Sequence, residues 1–316
     1  MSNIIAGKSI VITGGAGFIG ANLIYKLLSL NYEINLLVRS STNLWRLKKI
    51  IPQLKIHEVD ILDKQSLTKK MAQINPQGII HLATYTQYRN QEDFEQMIET
   101  NIKGTLNLLT ASKDIDYNIL INTGSSSEYG IKNNPMKETD LLEPISFYAA
   151  TKSSATLLCQ VFAKEYRKPI VTLRPFSTYG PYEEKGRFVP TIIKSVIEDK
   201  PIKLTPGDQR RDFIYIEDIV DIYIKTMNKG KKLSGQILNM GTGIEYTNDE
   251  VAKALFKIAR KKVPVEKGAF PARIWDTPHW IADISKTKRL LNWTPKFTLE
   301  EGLKRTYNWT NKQKNA

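Results

Sequence analysis

A glycine-rich turn between an apolar strand and a helix is the feature that most constrains the fold of this chain. The segment VITGGAGFIGANLIYKLL, residues 11–28, ends an apolar run in glycines and then takes on helical periodicity. A strand that enters a helix through closely spaced glycines is typical of dinucleotide-binding βαβ units, where backbone N–H groups and the helix dipole face a pyrophosphate. A plain tight turn is the alternative, because many such glycine triplets bind nothing.

Strands and helices alternate from this turn to about residue 175. Apolar runs such as SIVITG, INLLVR, GIIHLA, NILINTGS and IVTLRP are separated by helical patterns, which predict helices at 18–30, 64–73, 94–112 and 146–167. Such alternation, with continuous Val, Ile and Leu runs, predicts a parallel sheet with helices on both faces. The predicted fold class is therefore α/β, with a Rossmann-type doubly wound parallel sheet that binds NAD(P) in residues 1–175.

Residues 176–316 follow a less regular pattern that is rich in glycine, proline and arginine. Helices are predicted near 188–198, 217–228 and 247–261. We expect a smaller C-terminal α/β lobe that binds the substrate, with some strands or helices returning to the first domain. Open α/β sheets bind ligands at the carboxyl ends of their strands, so the ligand cleft is expected at that edge.

Composition argues against several functional classes. No apolar run reaches the ~18–20 residues of a membrane span, and the N-terminal segment lacks the features of a secretory signal, so we expect a cytoplasmic protein with no membrane partner. The net charge of +14 comes from scattered lysines without interleaved aromatic residues, so no nucleic-acid partner is expected. The single cysteine, Cys159, lies in an apolar helical stretch and is predicted to be buried. The three histidines lack metal-ligand spacing, and no metal is expected.

The end of the second predicted strand bears on the choice of coenzyme. Sites specific for NAD(H) place Asp or Glu there to hold the adenosine ribose, whereas this chain has Arg39, Ser40, Ser41 and Arg46. A guanidinium and hydroxyl groups suit a 2′-phosphate, so NADP(H) is the predicted coenzyme and NAD(H) the alternative. Arg39 could also be a solvated cation at the end of a strand.

Tyr148 and Lys152 lie four residues apart in SFYAATKSSA, on one face of a predicted helix. A phenol normally keeps its proton at neutral pH, and a neighbouring ammonium stabilises its charged form. At about 4 Å and an effective dielectric near 20, that stabilisation is roughly 4 kcal/mol. The pair can therefore act as an acid/base, although Tyr-x-x-x-Lys also occurs by chance.

A hydroxyl cluster ends the preceding strand in NILINTGSSSEYG. A serine at the carboxyl end of a parallel strand can hold a substrate oxygen, and Ser125 is the candidate, with Thr123, Ser126 and Ser127 as competitors. A polar turn that caps its own backbone is the alternative.

The order of these motifs resembles the extended short-chain dehydrogenase/reductase family that acts on nucleotide sugars. Nearly the whole chain takes part, through TGGAGFIG, VDILD, HLA, NIKGTLNLL, SSSEYG, YAATK, RPFSTYGP, RRDFIYIED and ARIWDTPHWIADISKTKRLLNWTPKFTLEEGL. The resemblance implies a homodimer that pairs through the helices at 94–112 and 146–166. Its substrate would be a nucleotide-diphosphate sugar.

The resemblance also implies the site residues, position by position. The catalytic set would be Ser125, Tyr148 and Lys152. The coenzyme would contact Gly14, Gly17, Phe18, Ile19, Gly20, Arg39, Ser40, Asp60, Ile61, Leu82, Ala83, Thr123, Tyr148, Lys152 and Pro175. The substrate would contact Ser127, Ser177, Arg187, Phe188, Val189, Arg211 and Arg273.

The resemblance leaves three reactions open, namely 4,6-dehydration, C4 epimerisation and net reduction of a 4-keto sugar. Dehydratases follow the catalytic Ser or Thr with an Asp-Glu pair, whereas Ser126 and Ser127 stand in those places here and Glu128 falls one residue late. Arg39 favours a coenzyme that is exchanged, and the motifs look like the 4-keto-6-deoxyhexose reductases that include the CDP-abequose and CDP-paratose synthases. The predicted reaction is therefore NADPH-dependent reduction at C4, with Tyr148 as the proton donor. A C4 epimerase with tightly bound NAD is the alternative, and a 4,6-dehydratase is less favoured.

Overall fold

The computed structural model describes residues 8–86, 93–205, 209–269 and 277–314. The strands are Ser9–Thr13 (β1), Glu33–Val38 (β2), Lys55–Glu58 (β3), Gly78–His81 (β4), Ile119–Thr123 (β5), Ile170–Pro175 (β6), Ser177–Tyr179 (β7), Ile202–Lys203 (β8), Arg210–Arg211 (β9), Phe213–Tyr215 (β10), Ile237–Met240 (β11), Tyr246–Thr247 (β12) and Val265–Glu266 (β13). The helices are Phe18–Ser29 (α1), Lys64–Ile74 (α2), Phe94–Ile98 (α3), Gly104–Ala111 (α4), Phe147–Glu165 (α5), Phe188–Ile197 (α6), Ile216–Lys229 (α7), Asn248–Ala259 (α8), Ser285–Leu291 (α9) and Leu299–Lys314 (α10).

A seven-stranded sheet has the order β11-β6-β5-β4-β1-β2-β3. All neighbours from β6 to β3 pair in parallel. The chain moves outwards in one direction from β1 through β2 and β3, and in the other from β4 through β5 and β6, so the strand order reverses between β1 and β4. This is the doubly wound arrangement, and the predicted fold class is confirmed. Ligands of such sheets bind where the order reverses.

The chain divides into two compact units. The first comprises residues 1–128, 142–174 and 220–238, and the second comprises residues 129–141, 175–219 and 239–316. The segment 220–238 thus belongs to the same unit as the strands β1 to β5, and the segment 129–141 belongs to the other one.

The core of the first unit is built from strand side chains and helices packed on them. Val11 of β1, Ile79 of β4 and Leu120 of β5 are each at most 1% exposed, and Leu108 of α4 packs in the same cluster. These continuous apolar strands are buried on both faces, as expected for a parallel sheet. Helices α1, α2 and α5 begin and end within two residues of their predicted bounds, because each follows a regular apolar stripe.

The second unit contains short two-stranded sheets and amphipathic helices. β7 pairs in parallel with β10, β8 pairs in parallel with β13, and β9 pairs antiparallel with β12. Helices α6 and α8 lie near their predicted positions, whereas α9 and α10 were not anticipated from the sequence. Among the described residues, no helix combines the length and apolar character that crossing a membrane requires.

Candidate active site

The glycine turn lies where the strand order reverses. Gly14 follows β1 with φ +68°, and a Cβ there would stand 2.4 Å from the backbone nitrogen of Ala83. The Leu82 amide donates to the carbonyl oxygen of Thr13 (3.0 Å), and the Ala83 amide donates to the Thr13 hydroxyl (3.3 Å). The structure thus brings together the predicted coenzyme residues Gly14, Leu82 and Ala83.

The same turn leads directly into α1. Gly17 is the N-cap residue, and Phe18 and Ile19 open the helix, so their backbone N–H groups are among those that no carbonyl of the helix can accept. A Cβ at Gly20 would lie 2.6 Å from the Cα of Gly15, which shows how closely the helix approaches the turn. The turn and the helix end thus have the backbone geometry of an anion-binding element, and their contact with a coenzyme stays a prediction.

The segment after β2 presents basic and hydroxyl side chains. Arg39 and Ser40 are exposed, and no acidic residue stands between positions 39 and 46. Arg46 is 9% exposed, donates from Nη1 to the carbonyl oxygen of Ala16 at 3.3 Å, and lies over the Trp45 ring at 4.5 Å. Arg46 therefore contacts the glycine turn directly. The sequence does not indicate this contact.

Asp60 and Ile61 lie in the segment that follows β3. The Asp60 carboxylate accepts from the Leu62 amide at 2.9 Å, and Asn107 of α4 donates from Nδ2 to the carbonyl oxygen of Ile61 at 3.0 Å. These two hydrogen bonds fix the backbone of this segment.

Lys152 of α5 is tied to the end of β5. Its Nζ donates to the carbonyl oxygen of Thr123 at 2.5 Å, and the Thr123 hydroxyl is hydrogen-bonded to the buried hydroxyl of Tyr223 at 2.6 Å. Lys152 is 5% exposed. Burial lowers the pKa of Lys152, and the Glu128 carboxylate opposes that change.

Tyr148 lies in the first turn of α5. Ser146 caps this helix, because its hydroxyl accepts from the Ala149 amide at 3.1 Å. Tyr148 is half-buried and stands one helical turn before Lys152, on the same face of α5. The sequence therefore predicts the local arrangement of this pair correctly.

Ser125 lies in a reciprocal hydrogen-bonded turn. Its Oγ accepts from the Ser127 amide at 3.1 Å, and its own amide donates to Glu128 Oε1 at 2.7 Å. The turn continues as a single 3₁₀ turn over Ser126–Tyr129. The arrangement is related to a capping box, because the later acid accepts from the amide of the first serine, but here the serine hydroxyl accepts from the Ser127 amide and not from that of Glu128. The segment is therefore a turn that caps its own backbone, and the contact of Ser125 with a substrate oxygen stays a prediction.

Glu128 is buried against Arg174 of β6. Arg174 donates from Nε and Nη2 to Glu128 Oε2, at 2.9 and 2.8 Å, and the two side chains are 0% and 1% exposed. Burial raises the pKa of Glu128, and the Arg174 guanidinium opposes that rise. The acid that falls one residue late in the sequence is therefore part of an internal ion pair.

Two further polar side chains behind the site were not singled out from the sequence. His81 of β4 is hydrogen-bonded through Nδ1 to the Thr13 hydroxyl (2.7 Å) and through Nε2 to the Thr105 hydroxyl (3.0 Å). Asn101 donates to the Thr151 hydroxyl of α5 at 2.9 Å and lies in a π-helical turn, Glu99–Lys103, between α3 and α4. Such turns mark functional sites in many helices, but nothing in the sequence distinguishes them from ordinary helix.

The predicted substrate residues of the second unit are spread along it. Ser177 opens β7, and Arg187 is the exposed N-cap residue of α6. Pro175, a predicted coenzyme residue, ends β6. Phe188 packs on Phe213 with ring centres 5.9 Å apart, and the side chain of Val189 is 2% exposed.

Arg211 in β9 is half-buried, and its guanidinium lies over the Trp280 ring at 5.2 Å. Arg273 lies outside the described residues. Ser127, in the first unit, is partly exposed beside Ser125. The predicted contacts of these residues with a substrate stay predictions.

Comparison with known proteins identifies the family. A sequence profile described as the NAD dependent epimerase/dehydratase family matches residues 10–241. The chain is 34% identical to UDP-glucuronate 4-epimerase of Thermodesulfobacterium geofontis over 95% of each protein, and 28% identical to dTDP-glucose 4,6-dehydratase of Neisseria meningitidis over 96% of this chain and 93% of that protein. The crystal structure of UDP-glucuronic acid 4-epimerase from Bacillus cereus, in complex with UDP-glucuronic acid and NAD, is similar with a TM-score of 0.87 and 29% identity over 96% of this chain and 99% of that chain. The chain belongs to the NAD dependent epimerase/dehydratase family.

Proposed function

We propose that this protein is a nucleotide-sugar 4-epimerase that works with a bound nicotinamide dinucleotide. The observation that carries the proposal is the arrangement around the end of β5, where Lys152 holds the carbonyl of Thr123 and Ser125 follows two residues later. Two of the three similar proteins above are 4-epimerases. This supports epimerisation over the net reduction that the sequence motifs favour.

The residues present fit a dinucleotide. The turn from Gly14 to Gly20 leaves no space for side chains against Ala83 and Gly15, so the backbone itself lines that surface. The N-terminus of α1 adds backbone donors for a pyrophosphate. Asp60 and Ile61 are held for the adenine, and Lys152 is held for the nicotinamide ribose. A nicotinamide dinucleotide held by these residues would supply the hydride acceptor and donor for C4 of the sugar.

The side chains of this protein would then control the proton at the C4 oxygen. Tyr148 removes that proton when the alcohol becomes a ketone and returns it when the alcohol forms again. Ser125 donates a hydrogen bond to the same oxygen. Its Oγ accepts a hydrogen bond from the Ser127 amide, so the hydroxyl proton is still available for donation. Lys152 supplies positive charge near the phenol, which favours the phenolate.

Elimination of water is disfavoured by the position of Glu128. A 4,6-dehydratase needs an acid and a base that reach the sugar, and Ser126 and Ser127 stand in their places. Glu128 is fully buried and bound to Arg174, so it has no exposed oxygen to offer. A dehydratase therefore lacks its acid and base here.

A second candidate is NADPH-dependent reduction of a 4-keto sugar nucleotide. The exposed Arg39 and Ser40 favour it, because they stand where a carboxylate would hold the adenosine ribose of NAD and they suit a 2′-phosphate. The two candidates differ in the fate of the coenzyme. An epimerase keeps and regenerates it, whereas a reductase consumes one NADPH for each product.

The deciding experiment follows both the configuration at C4 of the sugar and the oxidation state of the coenzyme. The purified protein is incubated with UDP-, dTDP-, CDP- and GDP-linked sugars. Sugars with a C4 alcohol receive NAD⁺ or NADP⁺, and sugars with a 4-keto group receive NADH or NADPH. We expect inversion at C4 of a UDP-sugar without a net change in the absorbance of the reduced coenzyme at 340 nm. We also expect Tyr148→Phe to lower kcat by roughly 10²–10⁴-fold. Stoichiometric NADPH oxidation with a 4-keto sugar, and no inversion, would establish the second candidate.

We also propose that the protein is a homodimer. Helices α3 to α5 carry exposed apolar side chains, namely Ile98, Leu106, Phe147, Leu157 and Val161. Solvent-exposed apolar patches of this kind indicate an interaction surface. Sedimentation should give a dimer for the native protein and a monomer for Leu157→Asp/Val161→Asp.

A further inference from the structure

We propose that Glu128 and Arg174 form a positioning pair that fixes the direction of the Ser125 hydroxyl and so serves the reaction without touching the substrate. The inference rests on the proposed role of Ser125. It concerns two residues that lie behind the serine, in the same unit of the chain.

The two oxygens of the Glu128 carboxylate have different partners. Oε2 accepts both hydrogen bonds from the Arg174 guanidinium, whereas Oε1 accepts from the Ser125 amide at 2.7 Å. The Glu128 amide in turn donates to the Ser125 carbonyl at 3.2 Å. Ser125 is therefore held at both ends of its backbone by a single residue, and that residue is anchored to β6.

The hydroxyl of Ser125 is fixed by the same turn. Its Oγ accepts from the Ser127 amide, which lies between the two ends of the reciprocal hydrogen bonds. In an ordinary helical cap the acidic side chain is exposed to solvent, whereas the Glu128 carboxylate is 0% exposed and bound by a charged partner. The direction in which Ser125 can donate thus depends on the Glu128–Arg174 pair.

Gly124 provides independent support. A Cβ at this position would lie 2.5 Å from Glu128 Oε1 and 3.1 Å from Arg174 Cγ. The backbone next to Ser125 therefore packs directly on the ion pair, and a glycine is needed for that approach. A displaced carboxylate would move this backbone, and Ser125 with it.

The first test removes the pair without leaving a buried charge. In Glu128→Leu/Arg174→Met, apolar side chains of similar size replace both partners, a change that buried ion pairs often tolerate. We expect a folded protein in which kcat falls about tenfold or more, while KM and the coenzyme Kd change by less than about threefold. The control is Thr226→Val, an equally buried site in the same unit, which should leave kcat within about twofold. A folded double variant with native kcat would overturn the proposal.

A double-mutant cycle tests whether the pair acts through Ser125. In a Ser125→Ala background, we expect the Glu128→Leu/Arg174→Met change to lower kcat by less than about twofold, because the hydroxyl that it positions is already gone. An equal fall in both backgrounds would show an action independent of Ser125 and would contradict the inference.

A readout without substrate separates this inference from the proposed function. Hydrogen exchange of the peptide that covers residues 123–129 should accelerate in the double variant, while peptides of β1 and β4 keep native protection. Unchanged exchange at 123–129 would overturn the inference even if no sugar is turned over. Should the double variant fail to fold, Gly124→Ala tests the same point by displacing the carboxylate, and native kcat with native exchange in that variant would contradict the inference.

Discussion

The ammonium of Lys152 lies 2.5 Å from the carbonyl oxygen of Thr123, so helix α5 is fixed to the end of strand β5 by a buried charge. Thr123 is also held through its hydroxyl by Tyr223. The helix that carries Tyr148 and the strand that leads to Ser125 are therefore joined at one point. Several predictions of function depend on that junction and on the glycine turn beside it.

Removing the charge of Lys152 should abolish most activity. Lys152→Met deletes the donor to Thr123 and the positive charge near Tyr148, so we expect kcat to fall about 100-fold or more. Lys164→Met, an exposed lysine on the same helix, is the matched control and should behave as the native protein. Steady-state kinetics of both variants at pH 7 decide this, and equal kcat values would contradict the role of Lys152.

Gly14→Ala should weaken both the fold and the coenzyme site. The position has φ +68°, and the added Cβ would meet the backbone of Leu82 and Ala83. We expect the free energy of unfolding to fall by about 1–3 kcal/mol and the coenzyme Kd to rise about tenfold or more. Gly186→Ala, where a Cβ would meet nothing within 4 Å, is the control. Native coenzyme affinity in Gly14→Ala would show that the turn does not hold the dinucleotide.

Stability should decrease in mild acid because of His81. Burial lowers the pKa of His81 from 6.5 to about 3 in the folded protein. The unfolded chain therefore takes up a proton below about pH 6.5 that the folded chain does not take up, and the contribution of His81 to the unfolding free energy falls with pH by up to about 1.4 kcal/mol per unit. The contribution is fully present above pH 6.5. The free energy of unfolding of the native protein and of His81→Gln is measured by denaturant unfolding between pH 8 and 5. Plotted against pH, the two free energies should converge as pH falls. Parallel curves would mean that His81 titrates normally.

Coenzyme selectivity should depend on the exposed basic segment after β2. Arg39→Ala removes the guanidinium proposed for the 2′-phosphate, so NADP(H) affinity should fall about tenfold and NAD(H) affinity should change by less than about threefold. Fluorescence titration with NADH and NADPH measures both. A native Kd for NADPH in the variant would leave Arg39 as a solvated cation.

The sequence was most informative where a pattern has one physical solution. Glycines between β1 and α1, and Tyr148 four residues before Lys152 on a helix, leave little freedom, so their local geometry was predicted correctly. The sequence also predicted the parallel sheet, because its strands are continuous apolar runs.

Other features depend on contacts between distant residues. No local sequence pattern predicts hydrogen bonds between residues far apart in the chain. The partners are 46 positions apart for Arg174 and Glu128, 30 for Arg46 and Ala16, and 50 for Asn101 and Thr151. The hydroxyl-rich segment before Glu128 predicts a turn that caps its own backbone, but the role of Glu128 becomes visible only from its ion pair with Arg174. Helices α9 and α10 were missed because the C-terminal residues mix polar and apolar side chains with less regular spacing.

In the proposed epimerisation, a hydride leaves C4 of a nucleotide sugar and returns to the same carbon. The most direct measurement uses a UDP-sugar deuterated at C4, with the product analysed by NMR and mass spectrometry. We predict a C4 epimer that retains the deuterium, with no net oxidation or reduction of the coenzyme. A product that has lost the deuterium without net change of the coenzyme, or a C4 alcohol formed only while NADPH is consumed, would contradict it.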